Sequence, residues 1–279
     1  LAALLIVAVG LSGIVFIDFA TFLFAAVTLM LVAIPPPPRT AAGAAAKGSL
    51  WKEAGYGWTF IRARPGLFGL LMYFAMINLV FSVSSVLVTP LVLSFASAAV
   101  LGTVLAASSA GLLAGSVAMT VTGGPRRRIH GVLAFGLVFG VALIFVGVKA
   151  DAHWIAAALF VVMFGAPIIN GSSQAIWQAK VPADVQGRVF AVRRMFAQFT
   201  APIGFVCAGP LADKVFNPLL VPGGALAGSV GRIVGVGKGR GIGLIYLTVA
   251  ILPILTSIWG YAKPRLRRVE EELPDAIPG

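Results

Sequence analysis

Two sets of uncharged polar residues in this chain recur at helical spacing. Asn78, Ser82, Ser85 and Thr89 follow one another at i, i+4, i+7 and i+11, bordered by Phe74 and Phe81. Asn170, Gln174 and Gln178 recur at i, i+4 and i+8, with Trp177 beside them. On a helix each set falls on one face. Their chemistry is recognition by hydrogen bonds and apolar contact. It is not bond making, because amides and hydroxyls without an adjacent base are neither nucleophiles nor general acids. Two readings fit such stripes: hydrogen bonds between helices, or the lining of a wet cavity that holds a ligand.

Other reactive groups are sparse. The two histidines, His130 and His153, sit at opposite ends of apolar segments, and no two acids share a face within one. A single cysteine, Cys207, excludes an internal disulfide and a cysteine-based metal site. No metal set or cofactor motif is visible, which argues against a membrane enzyme. Asp18 is the one acid well inside an apolar stretch. Charge there is costly, so it must face protein or water. It is read either as a helix-end carboxylate wetted from outside or as the coupling residue that senses a proton or cation.

The elements that must position these residues are membrane spans. The chain has 279 residues, is 59% hydrophobic and 11% charged, and has a mean hydropathy of +1.00. A soluble protein carries roughly 25% charged residues. Six stretches (13–34, 67–89, 97–121, 129–148, 152–175 and 241–262) approach the roughly 20 residues needed to cross a hydrocarbon core. A seventh, 191–214, is helical in pattern but interrupted by Pro202 and Pro210. The expected fold class is all-α: a polytopic transmembrane helix bundle. Residues 1–12 are apolar but lack a basic flank, so they read as the tail of a helix whose start lies upstream. The chain is therefore expected to be the carboxyl-terminal portion of a longer membrane protein.

With all seven segments crossing, Lys149, Lys214, Arg232, Lys238 and Arg240 fall on one side and the rest of the 21 Lys and Arg on the other. The positive-inside rule places the larger set, and the carboxyl terminus, in the cytoplasm of a plasma or inner membrane. The net charge of +12 forms no basic helical face, so nucleic-acid binding is excluded. Residues 35–66 form the longest inner connection. Within it Pro35–Pro38 stop the preceding helix, and Ser49–Gly66 carry an aromatic and basic pattern expected to lie in the membrane interface; a solvated linker is the alternative. In the outer loop, GVGKGRGIG (Gly235–Gly243) resembles a phosphate loop, but Lys238 is followed by Gly239 where that motif needs Ser or Thr. Gly111 and Gly115 mark a close helix crossing. Pro167, Pro202 and Pro210 predict kinked or broken helices, which in membrane proteins border cavities or moving parts.

The string QAIWQAKVPADVQGRVFAVRRM (Gln174–Met195), followed by TAPIG and GPLAD, resembles the carboxyl-terminal half of major facilitator efflux carriers, in particular the macrolide-efflux and enterobactin-exporter type. FIDFATFL, WKEAGYGWTFIRARPGL, GKGRGIGLIY and the tail ending EEELPD resemble the same group. The resemblance implies twelve helices in two halves with a substrate cavity between them. Residues 1–34 would then be the end of the fifth helix and the sixth, 35–66 a cytoplasmic linker, 67–262 the last six helices and 263–279 a cytoplasmic tail. Such carriers have an inner loop of the form Gly-x-x-x-Asp-Arg-x-Gly-Arg-Arg. Here GGPRRRIH keeps Gly123, Gly124 and the cluster Arg126, Arg127 and Arg128 but lacks the aspartate, so a charge-locked gate is in doubt for this half. Gly187 and Arg188 are further inner-loop candidates.

The resulting expectation is a secondary-active exporter of a small amphipathic or hydrophobic compound, drug or siderophore in class, driven by proton antiport. Its cavity residues would be Phe74, Asn78, Phe81, Ser82, Ser85, Asn170, Gln174, Trp177 and Gln178. Its partners would be the substrate, a proton, the bilayer and an amino-terminal half of the same protein, with no cofactor. The competing expectation is a non-transporting scaffold or inactive half-carrier.

Overall fold

The computed structural model describes residues 2–32 and 50–276. Among them the regular structure is helical. The chain divides into two units, Leu1–Pro38 and Arg39–Gly279. Seven helical segments among the described residues are long and apolar enough to cross a membrane. This follows from the bilayer as solvent, where a spanning backbone must satisfy its own hydrogen bonds.

The first unit is α1 (Ala2–Leu31), two helical stretches joined across a kink at Gly10, whose φ of 68° is not helical. Glycine has no Cβ to oppose that conformation. Its apolar side chains from Leu11 onward, and Asp18 among them, are mostly exposed within the unit.

The second unit holds α2 (Leu50–Arg62), α3 (Pro65–Leu93), α4 (Ala98–Thr122), α5 (Arg128–Val148), α6 (Ala152–Lys180), α7 (Gln186–Pro210) and α8 (Arg240–Ala262). Residues 35–49 of the expected linker, with its prolines and Ser49, lie outside the described residues. Helix ends follow local chemistry. Pro65 opens α3, where its missing N–H costs nothing. Asp151 caps α6 by accepting from the Trp154 N–H at 3.0 Å. Gly123, at φ 69°, ends α4 in the left-handed conformation. The bundle is an open series: α4 packs on α6, α6 on α5, α5 on α8, α8 on α3, and α3 on α7. Buried hydroxyls bond across it. Tyr73 Oη donates to the Val132 carbonyl or meets Ser257 Oγ, each at 3.1 Å, and Tyr246 Oη donates to the Ser84 carbonyl.

Two expectations need correction. The segment with Pro202 and Pro210 is not interrupted at Pro202, through which α7 runs; at Pro210 the α-helix gives way to a wider π turn, Leu211–Phe216, before Asn217–Leu219. Pro167 likewise lies inside an unbroken α6. A proline removes one helical hydrogen bond, and neighbouring helices can hold the helix together around it. Helix α7 begins at Gln186, ahead of the expected 191, and Arg193 and Arg194 lie within it as they do in the expected segment.

The glycine-rich loop has a structural explanation. Gly235, Gly237 and Gly239 have φ of 94°, 125° and 77°, so alternate glycines supply turns that other residues resist. They close a small core of Leu220, Val234 and Leu244.

Candidate functional site

Helix α6 has two dissimilar faces. One meets α4, where Gly111 and Gly115 lie directly against the backbone carbonyls of Phe160 and Phe164. The other carries Asn170 and Gln174 and faces α7 across a cavity of about 630 Å³ floored by Phe74 and Asn78 of α3. The α7 wall consists of Gly187, Phe190, Ala191, Arg193, Arg194, Ala197 and Gln198. This cavity lies beside the middle of α3, the first half of α7 and the later turns of α6. Two smaller cavities continue from it along α3. One, of about 130 Å³, shares Phe74, Asn78 and Asn170 and adds Phe81. The next, of about 140 Å³, shares Phe81 and adds Ser85, Thr89 and Ser108.

Of the nine cavity residues predicted from the sequence, Phe74, Asn78, Asn170 and Gln174 come together in the largest space, and Phe81 and Ser85 lie further along. Ser82 lines none of the three. It is buried, its hydroxyl donates to the Leu79 carbonyl at 2.8 Å, and Gly204 of α7 packs against it. Trp177 is 1% exposed and belongs to the core. Gln178 is exposed, and its carbonyl accepts from Gln186 at 3.2 Å. The helical stripe therefore predicts the face but not the depth at which a neighbouring helix closes over it.

Arg193 is the residue that sequence reasoning missed. Its Nη1 donates to Gln174 Oε1 at 2.7 Å and its Nη2 to Ser173 Oγ at 3.3 Å. The guanidinium lies 5.2 Å from the Trp177 ring centroid and 5.8 Å from that of Phe190, within reach of cation–π attraction. The spacing of Phe190, Arg193 and Ala197 at three and four residues was the available signal.

The inner-loop candidates do not form one cluster. Gly123 and Gly124 make the turn after α4, both with positive φ, and Arg126 is exposed. Arg127 pairs with Glu271 at 3.4 Å, and Arg128 donates to the Ala175 carbonyl at 3.3 Å. Gly187 is cavity wall, while Arg188 pairs with Glu53 of α2 at 3.2 Å. Carboxylates come instead from the segment after α8. Glu270 Oε2 accepts from the Ile129 N–H at 2.9 Å, at the start of α5. The buried Lys180 ammonium pairs with Asp275 at 2.8 Å and donates to the carbonyls of Glu270 and Leu273. That hydrogen bond holds the Asp275 carboxyl below the usual aspartate range.

Helix α2 does not stand free. Phe60 and Ile61 are buried, Trp58 stacks on Phe196 of α7 at 4.6 Å, and Gly57 lies against the Arg188 backbone and Val192. The side chains of Trp51 and Lys52 lie outside the described residues. Among the described residues no group of three or more His, Cys, Asp or Glu could hold a metal.

A multi-pass helical bundle with an amide- and aromatic-lined cavity between its helices is the architecture of a membrane transporter. A family model supplies the assignment: the Major Facilitator Superfamily model matches residues 1–205, and the chain belongs to that family. Neither a curated protein nor a solved structure matches it.

Proposed function

We propose that this chain is the second half, with the last helix of the first, of a carrier that exports a small amphipathic or hydrophobic compound by proton antiport, in the manner of the macrolide-efflux and siderophore-exporting facilitators its sequence resembles. The observation that carries this reading is the cavity between α3, α6 and α7, which pairs the amides of Asn78, Asn170 and Gln174 with the rings of Phe74 and Phe190. A few polar groups on an apolar wall fix the orientation of an amphipathic ligand without demanding one skeleton. Rocking of this bundle against an amino-terminal bundle would expose the site to each side in turn. Asp18 is the coupling candidate in this chain. The cytoplasmic placement of the arginine-rich end rests on its excess of Lys and Arg.

The test is efflux of a panel of dyes, macrolides and siderophore-like compounds from cells expressing the complete reading frame, with and without a protonophore. Efflux that collapses with the protonophore is expected. Efflux indifferent to it removes proton antiport, and no efflux of any compound from correctly inserted protein removes the exporter reading.

A further inference from the structure

The largest cavity has a charge that the amide stripes did not announce. Arg193 is partly buried in its wall and bonds to two neutral groups, Gln174 and Ser173. No ion pair among the described residues includes it. A cation withdrawn from water and left without a counter-charge is costly, and in a membrane bundle such a residue marks a ligand path by default. Arg194 adds a second cation to the same wall, and no acid among the described residues lines the cavity.

The amides are polarised along the cavity as well. Gln174 has its oxygen committed to Arg193, so its free end is the amide nitrogen, a donor. Asn78 and Asn170 donate their nitrogens to the Phe74 and Ala166 carbonyls, each at 2.9 Å, so their free ends are oxygens, which accept. Donors and positive charge therefore gather at Arg193 and Gln174. Acceptors gather at Asn78 and Asn170, which also line the next cavity along α3.

We infer that this cavity takes an anionic amphipath. Its acid group, a carboxylate or another oxyanion, meets Arg193 and the Gln174 amide. Its apolar body lies between Phe74 and Phe190, and a hydroxyl or amine at its other end donates to Asn78 and Asn170. Guanidinium suits this role because its planar fork bonds an oxyanion at two points. The inference rests on the transporter reading above and narrows its substrate class by charge.

The experiment uses the product of the complete reading frame in proteoliposomes and two dyes that share a xanthene body: carboxyfluorescein, which is anionic, and a cationic rhodamine ester. The readout is the ratio of their binding affinities, followed by transport. Wild type is expected to prefer the anion. Arg193→Gln is expected to lower the anion-to-cation ratio at least tenfold, and Arg193→Lys to lower it less. A purely structural role for Arg193 would weaken both dyes together and leave the ratio unchanged, which overturns the inference. Binding and transport of the cationic dye alone also overturns it and leaves the carrier reading standing. Binding and transport of neither dye by correctly inserted protein overturns both.

Discussion

The two faces of α6 show how one helix can be both frame and wall. Against α4 it is dry, and glycines bring backbone onto backbone at Phe160 and Phe164. Toward α7 it carries amides, and no comparable packing closes the gap. The first face leaves no room for a side chain, while the second keeps about 630 Å³ open. Rigidity on one side is what lets Asn170 and Gln174 hold fixed positions on the other, since a binding group is only as well placed as the element that bears it.

The sharpest way to break this contrast is at the tight face. A Cβ at Gly115 meets the Phe164 carbonyl, and backbone cannot swing aside. Gly115→Val is therefore expected to cost roughly 1–3 kcal/mol or more and to reduce monodisperse, inserted protein, as read by thermal unfolding in detergent. Retention of the wild-type melting temperature would mean that α4 and α6 do not cross there.

Next in size is a change at the open face. Gln174→Leu removes the acceptor 2.7 Å from the Arg193 guanidinium. The same change removes the amide N–H inferred to meet the ligand's acid group, and a hydrogen bond to a charged group contributes about 1.5–3 kcal/mol, so ligand affinity should fall about tenfold or more, while the lost Arg193 acceptor lowers the melting temperature as well. A stability loss without an affinity loss would make Gln174 a frame residue.

A smaller effect belongs to the contacts of Lys180. Asp275 has a lowered pKa in the folded chain, so its contribution is complete above its ordinary value, about 3.9, and is lost as pH falls through the lowered one. Amide exchange over residues 269–276 should therefore be slow at neutral pH and accelerate only below about pH 4. Lys180→Met should make it fast at neutral pH. Exchange that is already fast in wild type at pH 7 would show that this segment is not held.

The smallest effect is expected at Ser82. It belongs to the polar stripe but packs on Gly204 outside the cavities, so Ser82→Ala should change stability only by the net worth of its hydroxyl bond to Leu79, about 1 kcal/mol or less. It should leave transport unaltered. A transport defect would return Ser82 to the lining.

The spans were legible because bilayer thickness and backbone hydrogen bonding leave helices little freedom in length or composition. Asn78, Asn170 and Gln174 were legible because unsatisfied amides cannot face lipid. Trp177 and Gln178 were misassigned to the cavity because a stripe fixes an angle around the helix and not the height at which its neighbours touch it. Arg193 was hidden by the rule that found the topology: an arginine counted toward orientation is not read as part of a cavity face, although the expected segment 191–214 already held it. The carboxylates near the Arg127–Arg128 turn were invisible for another reason. They come from Glu270 and Glu271, far along the chain, and a local motif cannot report them.

Helix α2 gives the cavity a mechanical property. Through the Glu53–Arg188 pair, the Trp58–Phe196 stack and the seat of Gly57 on the Arg188 backbone, it is fastened along the stretch of α7 that forms the cavity wall. It acts there as a splint. Two helices bound side by side bend less than one, so the arginine-bearing side of the cavity is expected to move together with α2 as one body.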